Sequence, residues 1–517
     1  MEWVVRLVFL LLTVGFLLTV FGRDWALRLR RKWDYSRGRQ LKKGKPRVVE
    51  RRPNPDEILR FGNSFLPESA LTGHCLAAGT SGSGKSLVQR LFLAEHLRRI
   101  SPGSDSRVFI YDAKSETTAF LRHIGVSAPI YSLNPFESSE DSPVAVAWDI
   151  GKDITSPARA NNLSYSMVTG EATGANGYFV KAARIVVSAI IKSFIRHSGS
   201  SWRFSDLIYA TSSWERMLEV LNRDEEGMRI SGSFLAENTT GYNVSTTVIA
   251  DMELYSPVAA LWQRAKHRLS IRDFLKQEAI VLMGENETAS ATLDVLNQQI
   301  FGVYVEEVLA QTNSSTRRNG LWIDEAQYAK PILQSEKLQS FAAKARSKGG
   351  WMLIAFQDVE GFRLAAGDSK AADSIIAQCN NKVLLRMESF ESAEWASKLA
   401  GQFETIEVFR SEGSSWRQSD RGSEQRVVKD VVLPSEFYVI PETDPSHGLS
   451  GYFLSSKLGA RSMTVAAIEV QPVVVDDETE KRFAIVHRPE SDQWITKWTL
   501  GDKQRLGLVQ NRQKRWR

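Results

Sequence analysis

The sequence predicts an α/β protein built on a doubly wound, mostly parallel sheet, with an inserted all-α subdomain and one N-terminal transmembrane helix. Three observations predict it. A glycine-rich octapeptide, Gly79-Thr80-Ser81-Gly82-Ser83-Gly84-Lys85-Ser86, joins an apolar run to a helical pattern. Short, continuous apolar runs recur along the chain, separated by amphipathic stretches, as buried parallel strands and their crossover helices require. One long interval, about 155–275, lacks strand signals, and residues 7–22 form an uncharged apolar run.

Taking the elements in order, residues 7–22 contain no charge, and extension back to Trp3 is interrupted only by Arg6. About 20 such residues span a bilayer, with Arg6 snorkelling to the interface. Trp3 and Trp25 flank the run as interfacial anchors, and Arg23-Asp24-Trp25 follows it in place of a small-residue cleavage site. Residues 1–22 are therefore expected to be a membrane anchor. Residues 23–52 hold 13 Lys/Arg against 3 Asp/Glu, which places everything after the span on the cytoplasmic side. Residues 23–58, with Pro46, Pro53 and Pro55, read as a basic juxtamembrane linker.

The whole chain carries a net charge of +6, yet the ends are so basic that residues 53–496 carry a net −10. The body is mildly acidic, so overall charge does not argue for a nucleic-acid surface. Cys75 and Cys379, the only cysteines, lie in apolar segments and read as buried thiols without a disulfide. The seven histidines show no metal-ligand spacing, which argues against a structural zinc site.

The octapeptide Gly79–Ser86 satisfies G-x-x-x-x-G-K-[ST] in full, in the order strand, glycine loop, helix that the motif needs. Backbone N–H groups of Gly79, Thr80, Ser81, Gly82, Ser83 and Gly84 would close around phosphate oxygens at the positive end of a helix. Lys85 would reach the β- and γ-phosphates and Ser86 would hold Mg²⁺. The expected ligand is a nucleoside triphosphate, ATP, with Mg²⁺.

Candidate strands follow at 72–78, 107–112, 279–284, 320–324, 351–357 and 382–386. The run Leu321-Trp322-Ile323 ends in Asp324-Glu325. Parallel strands carry functional residues at their C-terminal ends, so Asp324 would support the Mg²⁺ shell and Glu325 would act as general base on the attacking water. Gln357 ends the strand beside it and would sense the γ-phosphate or position the water; bonding of its amide to a strand end is the plainer role. Arg346, in a basic turn after a helix, is a candidate arginine finger toward a neighbouring subunit, and Arg386, ending the next strand, is the competing choice. A solvated basic face explains Arg346 equally well. Asp112-Ala113-Lys114-Ser115-Glu116 leaves a strand on the same active edge, either for nucleotide coupling and substrate contact or simply as a helix start.

Domain boundaries are set at 59–154 and 276–470 for the nucleotide-binding domain, 155–275 for the helical insertion and 471–517 for a C-terminal extension with a basic tail. Tyr178–Arg196 and Leu207–Leu221 carry helical spacing inside the insertion, and residues 411–427 read as a polar loop.

Taken in order, Gly79–Ser86, Asp112–Glu116, Leu321–Glu325, the stretch from Arg346 to Gln357, Asn381–Arg386 and Leu433–Phe437 resemble the coupling proteins of type IV secretion and bacterial conjugation. The resemblance covers about residues 60–470. It implies a RecA-like P-loop NTPase related to the FtsK/HerA translocases, assembled as a homo-hexamer in the bacterial inner membrane. It implies ATP-driven recruitment of DNA or a relaxase–DNA nucleoprotein to a type IV secretion apparatus, with the insertion as the all-α domain. The family usually has two membrane spans where this chain shows one, and Ala113 and Ser115 replace its usual Pro and Gly, so a different loop conformation is expected there. A receptor for protein effectors that never grips DNA, and a general membrane-tethered DNA pump, share the same motor residues.

Overall fold

The computed structural model describes residues 35–43, 54–139, 143–171, 173–174, 177–410, 422–444 and 447–509. The predicted membrane span at residues 1–22 lies outside them, as do most of the basic linker and the last eight residues. Among the described residues, no helix is long and apolar enough to cross a membrane.

A twelve-stranded sheet organises the chain. Its strands, numbered in chain order, are β1 (Leu41–Lys43), β2 (Cys75–Ala78), β3 (Ser106–Asp112), β4 (Ile130–Ser132), β5 (Val144–Trp148), β6 (His267–Leu269), β7 (Ile280–Gly284), β8 (Arg318–Ile323), β9 (Gly350–Phe356), β10 (Asn381–Leu384), β11 (Leu449–Ser455) and β12 (Gly459–Val465). The spatial order is β1-β12-β11-β10-β2-β9-β8-β3-β7-β4-β5-β6. Every pair from β10 to β6 along that order is parallel, and the β10–β11 and β11–β12 pairs are antiparallel.

The central strands are apolar on both faces because both faces are covered. On β3, Phe109 and Tyr111 enter one core while Val108 and Ile110 enter the other. On β9, Met352, Ile354 and Phe356 join the first core, and Trp351, Leu353 and Ala355 join the second. The period of two thus feeds two helical layers. The helix Lys85–Arg98 covers one face, and the helix Ser290–Ala310 packs with the other core.

The insertion is helical as expected. Seven helices run from Pro157 to Gln263, the longest being Gly177–Ser198. Their starts are written in the sequence: Ser156, Ser213, Asp224 and Asn238 each accept a backbone N–H from the first turn. The expected helix Leu207–Leu221 is two helices, Phe204–Ala210 and Trp214–Leu221, because Ser213 caps a new start. The chain returns through β6, which pairs with β5 on the sheet edge, so 155–275 is not free of strands.

Two further expectations are corrected. Residues 422–427 belong to the strand Gly422–Asp430, which pairs antiparallel with Gln402–Arg410, so the expected loop is shorter. The linker contributes Tyr35–Gly38 to that sheet and β1 to the large one. The C-terminal extension also returns to the insertion. Trp498 Nε1 donates to Asp206 at 3.2 Å, and Arg505 pairs with the same carboxylate at 2.7 Å.

Candidate nucleotide site

The predicted site residues come from the C-terminal ends of neighbouring strands. β2 leads into Gly79–Ser86; β9, its neighbour, is followed at once by Gln357; β8 is followed by Asp324 and Glu325; β3 ends at Asp112. The strand before Asp324-Glu325 is therefore separated from the phosphate-loop strand by the strand before Gln357.

The loop is shaped by its own backbone. Gly79 N–H donates to the Phe356 carbonyl at 3.3 Å, and Thr80 N–H to that of Arg386 at 2.8 Å. Ser83 Oγ donates to the Thr80 carbonyl at 2.6 Å, while Ser81 and Gly82 form the exposed tip. A Cβ on Gly79 would lie 2.7 Å from Leu385 Cβ and Ser83 Oγ. Gly84 caps the following helix at φ +92°, and a Cβ there would lie 2.4 Å from Leu449 Cδ1. Only glycine fits both demands. Lys85 and Ser86 open the helix, so its positive end faces the loop.

Lys85 is buried and its Nζ donates to the Thr80 carbonyl at 3.2 Å. Burial lowers its pKa, with the Glu325 carboxylate opposing, the Lys114 ammonium adding to the drop and Asp324 opposing. Asp324 is buried, and its Oδ1 accepts from Gln89 Nε2 at 2.7 Å. Burial pushes its carboxyl up to about 6, Asp112 adds to the rise, and Arg90 and Lys114 oppose it. Glu325 Oε2 pairs with Lys114 Nζ at 3.0 Å. Burial acts to lower the Lys114 ammonium, but the hydrogen bond and charge of Glu325 outweigh it and hold it above its ordinary value. Asp112 Oδ2 accepts the Thr117 N–H at 2.9 Å, and burial raises its carboxyl.

Two carboxylate oxygens, Asp112 Oδ1 and Glu325 Oε1, are buried without a hydrogen-bond partner among the described residues. Among those residues no group of three His, Cys, Asp or Glu could hold a metal ion alone. The unpaired carboxylate oxygens suit Mg²⁺, which takes oxygen ligands and binds through one or two carboxylates together with phosphates. Ser86, in the first turn of the helix, and Asp324, just past β8, are the residues that would hold it.

Gln357 lies half-buried on the same edge, and its backbone N–H donates to Gln327 Oε1 at 3.3 Å. Arg386 also stands there, its guanidinium paired with Glu442 at 2.8 Å and Glu388 at 3.3 Å. Arg346 does not join them. It is exposed in the turn Ala345–Lys348, before β9 begins, at the opposite edge of the sheet. The seven residues of β9 separate it from this edge by about 20 Å.

Sequence reasoning missed Gln89. It is fully buried on the phosphate-loop helix and bridges two β8 side chains, with Oε1 accepting from Trp322 Nε1 at 2.7 Å and Nε2 donating to Asp324. Helical spacing alone marks it as an interior polar residue, and no motif names its partners. In the Asp112–Glu116 loop Ser115 adopts φ +59°, the left-handed conformation a glycine takes without strain.

The strand order and this edge define an α/β protein with a large, mostly parallel sheet and a phosphate-loop motif, a fold that fits a RecA-like NTPase. A model of the type IV secretion-system coupling protein DNA-binding domain matches residues 59–452, so the chain belongs to that family. The fold is similar to that of the bacterial conjugative coupling protein TrwB in an unbound form, at 17% identity and TM-score 0.61, covering 84% of this chain and 94% of that one. It is similar also to the plasmid coupling protein TrwB in complex with ADP and Mg²⁺, at 18% identity and TM-score 0.60, covering 86% and 97%. A third similar structure is TrwB with a non-hydrolysable ATP analogue, at 17% identity, TM-score 0.60, covering 84% and 94%. No curated protein matches the chain.

Proposed function

We propose that this chain is a membrane-anchored, ATP-hydrolysing coupling protein. It recruits DNA or a relaxase–DNA nucleoprotein and drives it into a type IV secretion channel at the inner membrane. The observation that carries the hydrolytic reading is the convergence of Lys85, Asp324 and Glu325 at one sheet edge, with one Glu325 oxygen left open. Family membership supports the DNA and secretion partners.

In this reading Gly79–Ser86 cradle the triphosphate, and Lys85 leaves the Thr80 carbonyl for the β- and γ-phosphates. Ser86 and Asp324 would hold Mg²⁺, which would neutralise charge on the phosphates. Glu325 takes the proton of the attacking water through its open oxygen. Gln357 is assigned the orienting of that water. Arg346, too far from its own loop, serves a neighbour's nucleotide in a homo-hexamer. Arg386, held by two carboxylates beside the loop, stays with its own subunit.

The test is ATP hydrolysis by the purified chain with and without single- and double-stranded DNA, at low and moderate salt, with Lys85→Ala as blank. Stimulation by DNA that weakens with salt is expected, since phosphate contacts release counterions. Hydrolysis indifferent to DNA yet abolished by Lys85→Ala would overturn the DNA motor in favour of a protein-effector receptor.

A further inference from the structure

Lys114 stands two residues beyond the end of β3, on a loop pinned at both sides. Asp112 Oδ2 accepts the Thr117 N–H at 2.9 Å and closes the loop on itself. Glu116 pairs with Arg90 of the phosphate-loop helix at 3.2 Å. Between these ties Ser115 holds φ +59°, turning the chain sharply beside Lys114. The ammonium lies 3.0 Å from Glu325 Oε2, and Glu325 Oε1 has no hydrogen-bond partner among the described residues. The lysine side chain is 38% exposed and the glutamate 2%.

We propose that Lys114 is the positioning residue for the hydrolytic carboxylate: it grips Glu325 through Oε2 and keeps Oε1 turned toward the attacking water. The inference rests on the hydrolytic reading given above. A glutamate side chain has several staggered rotamers. One charge-assisted hydrogen bond to a cation on a pinned loop selects among them. Lys85 and Asp324 also interact electrostatically with Glu325, and both are committed in this reading to phosphate and Mg²⁺. Lys114 is the cation in direct contact with the Glu325 carboxylate. The grip also ties the base to the phosphate-loop helix, through Glu116 and Arg90. Misplacing a reacting group by about 1 Å costs on the order of 100-fold in rate.

The test compares the full-length wild type with Lys114→Met, Lys114→Arg, Glu325→Gln and the Lys114→Met/Glu325→Gln double variant. Steady-state hydrolysis gives kcat and KM, a fluorescent ATP analogue gives affinity, and single-turnover hydrolysis gives the residual rates. Lys114→Met is expected to lower kcat about 10- to 100-fold while affinity stays within about threefold. Lys114→Arg is expected to recover most of the rate, as the longer cation reaches the same oxygen. In the Glu325→Gln background, Lys114→Met should add nothing, because the carboxylate it positions is gone. A merely structural lysine would lower the rate equally in both backgrounds. Wild-type or raised kcat in Lys114→Met, or equal losses in the two backgrounds, overturns the proposal. If Lys114→Met does not fold, Lys114→Gln replaces it in the same cycle. A wild type that binds the analogue without hydrolysing ATP, or a Glu325→Gln variant at the wild-type rate, defeats the hydrolytic reading itself and this inference with it.

Discussion

Replacing Gln89 by leucine tests how the edge carboxylate is held. Gln89 is fully buried, and one amide satisfies two β8 groups: Trp322 Nε1 at 2.7 Å and Asp324 Oδ1 at 2.7 Å, with a weaker contact to the Asp324 carbonyl at 3.3 Å. Leucine has a similar volume, so the packing term is small. The indole N–H and the Asp324 oxygen are then left unpaired, each at about 1–3 kcal/mol. The expected loss is about 2–6 kcal/mol, which lowers the melting temperature by roughly 3–10 °C for a domain of roughly 290 residues. Gln89→Glu should cost more, because it sets a second carboxyl against Asp324. The assay is calorimetry of the full-length chain with and without ATP and Mg²⁺. Both variants should also lose part of the stabilisation that Mg²⁺ with ATP confers, since Asp324 is no longer oriented. A Gln89→Leu chain that melts within about 1 °C of wild type would refute the reasoning.

Two other predictions concern different parts of the fold. Glu137 is buried, accepts from Ser132 Oγ and from Asn134 Nδ2 at 3.1 Å, and is pushed up to about 7 by burial. Its folded value lies above the ordinary 4.5, so the folded state holds the proton longer, and its contribution to stability falls as pH rises from 4.5 to about 7. Glu137→Gln should flatten the melting temperature across that window, and an unchanged slope would contradict the assignment. Arg346 stands at the far edge from its own phosphate loop. Arg346→Ala and Lys85→Ala chains should each be inactive alone and regain hydrolysis when mixed into one assembly, since each supplies what the other lacks. No recovery at any mixing ratio would remove Arg346 as a finger acting between subunits.

The sheet was legible where strands are long, central and doubly buried. The runs ending at Asp112, Ile323 and Phe356 stand within a residue or two of their expected positions, because two-sided burial makes them continuously apolar. Edge and antiparallel strands were not legible. β4 and β6 have three residues each, too few for a pattern, and β11 with β12 mixes Ser, Gly and Arg into its apolar residues. The linker strand Tyr35–Gly38 pairs with residues some 365 positions away, a partnership no local signal encodes.

At the site, the phosphate loop and the Asp-Glu strand were readable because backbone geometry and strand ends demand those residue types. Gln89 was not, because its meaning comes from facing Trp322 and Asp324 across two elements. Arg346 and Arg386 could not be separated by sequence, as both flank strands. Their opposite edges follow from which end of its strand each one flanks.

The most direct test of the central claim is phosphate release from ATP by the full-length wild type and by Glu325→Gln, with analogue binding measured on both. The account predicts Mg²⁺-dependent release by the wild type, and equal binding but a loss of at least about 100-fold in rate for Glu325→Gln, the scale of a general base. Release by Glu325→Gln at the wild-type rate, or none by a wild type that binds the analogue, would contradict it.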